Sequence, residues 1–314
     1  MILKKHVMLL RKYKCLMSKE IIFLQGGLGN QLFQYAFYLA KKERGANVFC
    51  DNSLFRVNSQ HNGFELERVF DIELFGTRTN SLIVRFLSKM TVWNNSIFIK
   101  GVLLILNFWG FFLIEDSIPS IYFPFLLNSQ KKRGIYFYLG YWQTEKYFKE
   151  IRSKILQIYS FNENLLSNDS KIILHKIEQT DSVSIHIRRG DFLSSQNESL
   201  YGGICTQEYY NKAISFILSK NRDTTFFVFS DDMDWVKDNI NLSNAVYVEF
   251  NQMQDSWQDM FLMSKCQHNI IANSSFSWWG AWLNRNPGKM VICPSRFLNV
   301  GHNFDIIPSD WIIL

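Results

Sequence analysis

The chain of 314 residues lacks several features that define whole classes of protein. It has only 5 prolines, which excludes a proline-rich linker protein, and its 47% of hydrophobic residues excludes a disordered chain. The cysteines are odd in number and include no C-x-x-C pair, so a zinc ribbon is excluded and a disulfide scaffold is not expected. They favour a reduced, intracellular protein. The cysteines are Cys15, Cys50, Cys205, Cys266 and Cys293.

Apolar and aromatic side chains are abundant, with 28 Phe among them, and the length suits about two domains. The 34 Lys and Arg against 28 Asp and Glu leave a net charge of +6. That excess would suit nucleic acid, an anionic membrane or a phosphorylated substrate. The basic residues are scattered and form no recognition motif, so nucleic-acid binding is not favoured.

Residues 1–17 (MILKKHVMLLRKYKCLM) form a basic N-terminal extension. Their apolar stretch is too short for a signal peptide and no cleavage site follows it. Met17 as the natural start and a basic amphipathic surface segment are the other interpretations. We favour a dispensable extension.

A second apolar segment, residues 102–114, is interrupted by Asn107 and Gly110. Its 13 residues fall short of the roughly 20 that a transmembrane helix needs. A buried core helix is the favoured interpretation. The alternative is a membrane-facing patch formed together with residues 81–100, which mix basic and apolar side chains.

Strands and helices alternate in both halves of the sequence. Residues 20–25 predict a buried strand, 30–44 a helix and 47–50 a second strand, which implies a parallel β-α-β unit. A polar stretch, 161–170, predicts the boundary between domains at 18–165 and 166–314. Beyond it the predicted strands are 182–187, 225–230, 246–249, 268–272 and 290–293, and the predicted helices are 206–219, 233–239, 257–265 and 276–283.

A glycine-rich loop, residues 26–31 (GGLGNQ), lies between the first strand and the first helix. Glycines at such a position let backbone N–H groups approach an anion, and the helix N-terminus adds positive character. The spacing matches neither the full dinucleotide fingerprint nor a Walker loop. A simple tight turn explains the loop equally well.

Polar residues follow three predicted strands of the second half, where ligands of open α/β sheets bind. His186, Arg188, Arg189 and Asp191 belong to the first group, and the arginines suit a phosphate. A structural pair of Arg189 with Asp191, and a buried core role for His186, remain alternatives. The second group is Asp231 and Asp232, one of which could cap the next helix. The third group is Asn273, Ser274, Ser275 and Ser277.

The convergence of arginines, aspartates and serines predicts a site for a nucleoside diphosphate. In this interpretation the phosphates meet Arg and hydroxyl groups, and the carboxylates meet the base or ribose. A metal centre is weakly supported because no His or Glu at useful spacing joins the aspartates. The paired tryptophans that follow the serines are predicted to pack, with Trp278 and Trp282 on one helix face.

The order and spacing of these motifs resemble the bacterial-type α-1,2-fucosyltransferases nearly end to end. Outside the resemblance lie residues 1–17 and about 81–116. The matching segments are GGLGNQLFQYAF from Gly26, HNGFELERVF from His61, GYWQTEKYF from Gly140, HIRRGDF from His186, GICTQEYY in 203–210, FSDD from Phe229, DMFLMSKCQHNIIANSSFSWWGAWLN from Asp259 and DIIPSDW from Asp305.

The resemblance implies an α/β fold of the GT-B type, with two Rossmann-like domains and a cleft between them. It implies GDP-β-L-fucose as donor, a galactose-containing oligosaccharide or lipid-linked glycan as acceptor, inversion, and no essential metal or other cofactor. Arg188 would be catalytic through the diphosphate. The donor would also meet Gly29, Asn30, His186, Asp191, Asp231, Asp232, Asn273, Ser274, Ser275 and Ser277.

The base that would take the acceptor proton stays open between Glu198 and Asp191. The acceptor would lie mostly in the N-terminal half, near residues 61–67 and 140–143. We expect a role in cell-surface polysaccharide synthesis and a cytoplasmic location, with peripheral contact at the inner face of the plasma membrane as a variant. A transferase of other linkage and a catalytically silent nucleotide- or glycan-binding protein are the alternatives.

Overall fold

The computed structural model describes residues 18–57, 61–74, 79, 97–116, 120–130, 132–193, 197–300 and 305–314. The predictions for residues 1–17 and for 81–96 therefore lie outside the described residues. For residues 97–100 and Asp191 the description is limited to the backbone.

The strands and helices are numbered in chain order over these residues. The strands are β1 (Lys19–Phe23), β2 (Val48–Asp51), β3 (Phe111–Glu115), β4 (Ile135–Leu139), β5 (Ser182–Ile187), β6 (Thr225–Ser230), β7 (Ala245–Val248), β8 (His268–Ile270), β9 (Val291–Cys293) and β10 (Ile312–Ile313). The helices are α1 (Leu28–Glu43), α2 (Leu66–Val69), α3 (Ile97–Phe108), α4 (Arg152–Ile158), α5 (Asn168–Glu178), α6 (Glu198–Tyr201), α7 (Gln207–Lys220), α8 (Met233–Asn239), α9 (Trp257–Lys265) and α10 (Ser275–Leu283). Short 3-10 helices are Ser53–Arg56, Pro124–Leu127, Glu145–Tyr147, Lys149–Ile151, Glu163–Leu165, Asp191–Leu193 and Met253–Asp255.

Two parallel sheets organise the described chain. The first has the order β2-β1-β4-β3, and β1 pairs with both β2 and β4 in parallel. The second has the order β10-β9-β8-β5-β6-β7, with every neighbouring pair parallel. Residues of β5 are buried throughout, as expected for a central strand that helices cover on both faces. The predicted α/β class with two parallel units is confirmed.

Helices α1 and α10 pack against each other and join the two halves. The ring of Phe33 lies 4.5 Å from the ring of Trp278 and 5.0 Å from that of Trp279, centroid to centroid. Phe148 stacks on Trp279 at 5.4 Å. The predicted packing role of Trp278 and Trp282 is confirmed, since both are buried and their rings stack. The core is therefore continuous across the two sheets, and the domain boundary near residues 165 and 166 stays a prediction.

The predicted strands and helices agree with the structure to within two residues at most ends. Strands 182–187 and 225–230 and helices 233–239 and 257–265 have the predicted bounds. The sequence predicts these boundaries because a polar or turn-forming residue follows each apolar run.

The interpretation of residues 102–114 as one core helix was wrong. The helix α3 ends at Phe108, Gly110 adopts φ +83°, and β3 begins at Phe111 at the edge of the first sheet. A left-handed glycine ends the helix because that conformation cannot continue it. The helix is also exposed instead of buried, with Phe108 86% accessible to solvent.

Four of the cysteines lie in the described residues, and all four are free. Burial raises the pKa of the Cys205 thiol to about 12. No helix in this part of the chain is both long enough and apolar enough to span a bilayer.

Candidate functional site

The carboxyl ends of β5 and β6 lie side by side, with Ile187 opposite Ser230 in register. The residues that leave these strands are therefore neighbours although about forty positions separate them in sequence. This arrangement brings the predicted arginines and aspartates to one edge of the second sheet, as expected for parallel strands.

Arg188 forms an ion pair with Asp231, and Nε lies 3.1 Å from Oδ2. The same carboxylate accepts the backbone N–H groups of Arg189, at 2.8 Å, and Gly190, at 3.2 Å. Asp231 thus fixes both the Arg188 guanidinium and the turn that carries it. The Arg188 side chain is 29% exposed, so the guanidinium is held in place yet remains accessible from the edge of the sheet.

Arg189 makes a second, parallel ion pair, with Nε 3.1 Å from Oδ2 of Asp232. Its guanidinium carbon lies 3.9 Å from the centroid of the Trp235 ring, a cation–π contact. Asp232 also accepts the N–H of Trp235 at 3.3 Å, which confirms that one of the two aspartates caps the following helix. The described partner of Arg189 thus comes from the neighbouring strand, because parallel strands end together. The alternative of an Arg189–Asp191 pair stays a prediction, since the Asp191 side chain lies outside the described residues.

His186 is buried, and its imidazole lies against Phe276 with ring centroids 5.8 Å apart. Burial, reinforced by the positive charge of Arg188, lowers the pKa of His186 to about 3. The ring is therefore neutral at physiological pH. Its Nδ1 atom is buried and has no hydrogen-bond partner among the residues that the structure describes. An orphaned polar atom beside an accessible arginine is the kind of group that a bound ligand satisfies.

Helix α10 begins at this edge of the sheet. The three predicted serines differ in burial and in their hydrogen bonds. The Ser274 hydroxyl caps the helix by accepting the N–H of Phe276 at 3.3 Å. Ser275 is half-buried in the first turn. Ser277 is buried, and its hydroxyl donates to the carbonyl of Ala272 at 3.4 Å. The Asn273 amide is likewise turned inward and donates to the carbonyls of Tyr201 and Phe297.

The glycine-rich loop meets the start of α10 at Gly29. A Cβ placed on Gly29 would lie 2.6 Å from the carbonyl carbon of Ser275 and 2.7 Å from the nitrogen of Phe276. Only glycine permits this approach, which brings the N-termini of α1 and α10 together. A helix N-terminus has positive dipole character, and such termini favour anions.

Two buried glutamines hold the loop in shape, and sequence reasoning missed both. Gln31 donates to the carbonyls of Gly26, at 2.9 Å, and Gly63, at 2.8 Å. Gln34 accepts the N–H of Gln25 at 2.9 Å and donates to the carbonyl of Gly140 at 2.9 Å. The sequence does contain a pattern that indicates their role. Two glutamines three residues apart on an otherwise apolar helix face require buried hydrogen-bond partners.

The segments expected on the acceptor side gather around this loop. The His61 ring lies over Gly27, with its Cδ2 3.4 Å from a Cβ placed there. Asn30 accepts a hydrogen bond from Gln143 Nε2 at 2.8 Å. The neighbouring Trp142 has φ +55°, and its backbone N–H donates to Asp116 at 3.0 Å. Burial raises the pKa of Asp116, a positioning residue that the sequence did not single out.

Glu198 and Asp191, the two candidates for the base, lie in separate short helices of the second half of the chain. Glu198 is exposed in the first turn of the short helix α6. The Leu200 carbonyl of that helix accepts the N–H of Asn299, in the segment that follows β9, at 2.9 Å. The Asp191 side chain lies outside the described residues. Among the residues that are described, no group of three or more His, Cys, Asp or Glu side chains is placed to hold a metal ion.

The chain as a whole is similar to a known protein family and to several known proteins. The model of glycosyl transferase family 11 matches residues 20–312. An alpha-1,2-colitosyltransferase of Escherichia coli is 34% identical over 302 residues, which cover 94% of this chain and 99% of the relative. The O-antigen biosynthesis glycosyltransferase WbnK of Escherichia coli is 33% identical over 307 residues, 93% of this chain and 99% of the relative. Galactoside alpha-(1,2)-fucosyltransferase 1 of Ateles belzebuth is 24% identical over 271 residues, 83% of this chain and 64% of the relative.

Proposed function

This chain belongs to glycosyl transferase family 11 and is a glycosyltransferase, and we propose that it transfers L-fucose from GDP-β-L-fucose to the 2-hydroxyl of a galactose. The linkage is supported by two relatives whose names specify α-1,2 transfer, and fucose by the name of the primate relative. The observation that carries the donor assignment is the accessible Arg188, held by Asp231 at the carboxyl edge of a parallel sheet.

In this proposal the diphosphate lies between Arg188 and the adjoining N-termini of α1 and α10. When the bond between the sugar C1 and the β-phosphate oxygen breaks, its electrons go to that oxygen and the negative charge of GDP grows. A guanidinium already fixed by Asp231 stabilises this charge without reorganising at the moment of reaction. Neutral His186 adds no charge but offers its orphaned Nδ1 to the donor.

The acceptor binds on the N-terminal side of the same region. Its hydroxyl attacks C1 opposite the departing GDP, so one displacement inverts the configuration, and the hydroxyl proton passes to a base. Glu198 and Asp191 remain the candidates for that base. The groups around the glycine-rich loop that could orient the galactose are His61, which lies over Gly27, Tyr141, whose ring lies beside Gly26, and Gln143, which donates to Asn30.

The biological acceptor is a cell-surface polysaccharide, in line with the O-antigen role in the name of one relative. The test therefore offers galactose-terminated glycans both free and linked to a lipid, and the form that is used faster identifies the acceptor class. A colitosyl group is the second candidate for the transferred sugar, because a relative 34% identical over nearly its whole length is named a colitosyltransferase.

The experiment is a donor and acceptor screen with the purified full chain. GDP-fucose and GDP-colitose are offered separately with galactose-terminated oligosaccharides, and products are characterised by mass spectrometry and linkage analysis. We expect fucose attached α-1,2 to galactose. Transfer of colitose alone would replace the donor assignment, and binding of GDP-fucose without transfer to any acceptor would favour the catalytically silent binding protein.

A further inference from the structure

Helix α3 presents an apolar surface that nothing in the described part of the chain covers. Leu104, Ile105 and Phe108 follow one another at helical spacing and are 70%, 62% and 86% exposed, and Trp109 beyond the helix is 72% exposed. We call these four residues the α3 patch. From residue 101 to the end of the helix no side chain is fully buried, which is unusual for a helix of this composition.

In the sequence that leads to and includes the α3 patch, the charges are of one sign. Between Leu74 and Ile114 the sequence contains no Asp or Glu but does contain Arg78, Arg85, Lys89 and Lys100. A second basic segment lies beside the patch in space, because the carbonyl of Gly110 accepts the N–H of Ile135 at 2.8 Å. That contact places the exposed Lys132 and Arg133 next to the turn at Trp109.

The loop with the basic residues is held against the patch by close packing. A Cβ on Gly134 would lie 2.5 Å from the Gly110 carbonyl oxygen, so only glycine fits there. The Lys132 ammonium lies 4.8 Å from the centroid of the Phe112 ring, which itself stacks on Tyr136. The basic pair and the α3 patch therefore adjoin on one surface.

We propose that the α3 patch, with Lys132 and Arg133, is a docking surface for a bilayer that contains anionic lipid. Apolar and aromatic side chains enter the interface, and the flanking basic groups meet the lipid phosphates. The helix of 12 residues is about 18 Å long, too short to cross a hydrocarbon core of roughly 30 Å, so it lies along the surface. This inference does not depend on which sugar is transferred.

The test is co-sedimentation of the full chain with phosphatidylcholine vesicles that contain or lack phosphatidylglycerol. We expect binding only to the anionic vesicles. Phe108→Ser with Trp109→Ser should abolish it, and Lys132→Gln with Arg133→Gln should weaken it roughly tenfold or more. The matched control, Lys171→Gln with Ile172→Ser, also removes one exposed basic and one exposed apolar residue, from α5, and should bind as the parent does.

A second measurement locates the contact. Brominated lipid should quench tryptophan fluorescence in the parent, and Trp109→Phe, which keeps an apolar ring, should retain vesicle binding but lose much of the quenching. Binding that the Phe108 and Trp109 substitutions leave intact would overturn the proposal. So would light scattering that shows a homodimer which the same substitutions dissociate, because the patch would then belong to a second copy of the chain.

Discussion

The Nε atom of Arg188 lies 3.1 Å from Oδ2 of Asp231, across two strands that end side by side. The carboxylate is shared with the backbone N–H groups of Arg189 and Gly190, so one acidic side chain shapes the whole turn. Because Asp231 fixes where the Arg188 guanidinium lies, we expect activity to depend on the position of this group as well as on its charge.

Arg188→Ala should lower the transfer rate by a factor on the order of 10²–10³, because a fixed positive group opposite the departing phosphate is removed. Arg188→Lys should restore little, since an ammonium cannot reproduce the two-donor fork. Initial rates with GDP-fucose measure the effect, and the thermal midpoint of each variant shows that it folds. Full activity in Arg188→Ala would remove the proposed diphosphate role.

Asp231→Asn should weaken donor binding more than Asp232→Asn does, although each substitution breaks one Arg–Asp pair. Asp231 orients Arg188 and two backbone N–H groups, whereas Asp232 pairs with Arg189 and caps α8. The KM for GDP-fucose of the two variants gives the comparison. Equal effects would mean that the carboxylates act only through their charge.

GDP should raise the thermal midpoint of the chain more than UDP or ADP at equal concentration, since a ligand that binds the native state stabilises it. The increase should be lost in Arg188→Ala. Differential scanning fluorimetry over a concentration series measures it. No stabilisation by GDP or GDP-fucose would contradict the proposed donor independently of any acceptor.

Turnover should survive a chelator such as EDTA, because the proposed charge stabilisation comes from Arg188 and two helix N-termini. Rates measured after chelation and after re-addition of Mg²⁺ or Mn²⁺ decide this. An activity that disappears with the chelator and returns with the metal would require a cation on the diphosphate.

Gly29→Ala should destabilise the protein by about 1–3 kcal/mol, because the added methyl group would collide with the backbone of Ser275 and Phe276. Denaturant unfolding measures the change. Gly101→Ala is the matched control, since a Cβ there meets nothing within 4 Å and alanine favours a helix. An unchanged free energy of unfolding in Gly29→Ala would show that the two helix N-termini do not meet.

Stability should fall as the pH drops below the ordinary histidine pKa of 6.5, in part because of His186. Its pKa in the folded protein is about 3, so between these values the unfolded chain binds a proton that the folded chain does not. Stability is therefore present above pH 6.5 and lost progressively toward pH 3. His186→Phe should flatten this dependence in thermal midpoints measured across the range, and His175→Gln, at an exposed position, should not.

The sequence by itself determined the local elements and the family. Runs such as residues 182–187 and 225–230 are apolar and end at polar residues, so their bounds follow from burial and chain direction. The strand-end position of the arginines and aspartates follows from the same pattern, and the order of the motifs identifies the transferase family.

Only the tertiary structure decided how these residues meet. Arg189 pairs with Asp232, whose carboxylate comes from the end of the neighbouring strand and not from a residue near Arg189 in sequence. Asn273 turns inward and donates to the carbonyls of Tyr201 and Phe297, which are distant in sequence. Helix α3 is exposed although its composition resembles a core helix, because Gly110 turns the chain into an edge strand. The local sequence pattern predicts the secondary structure and burial that a residue favours. The order of the strands and the packing of the helices determine which distant residues become its hydrogen-bond or ion-pair partners.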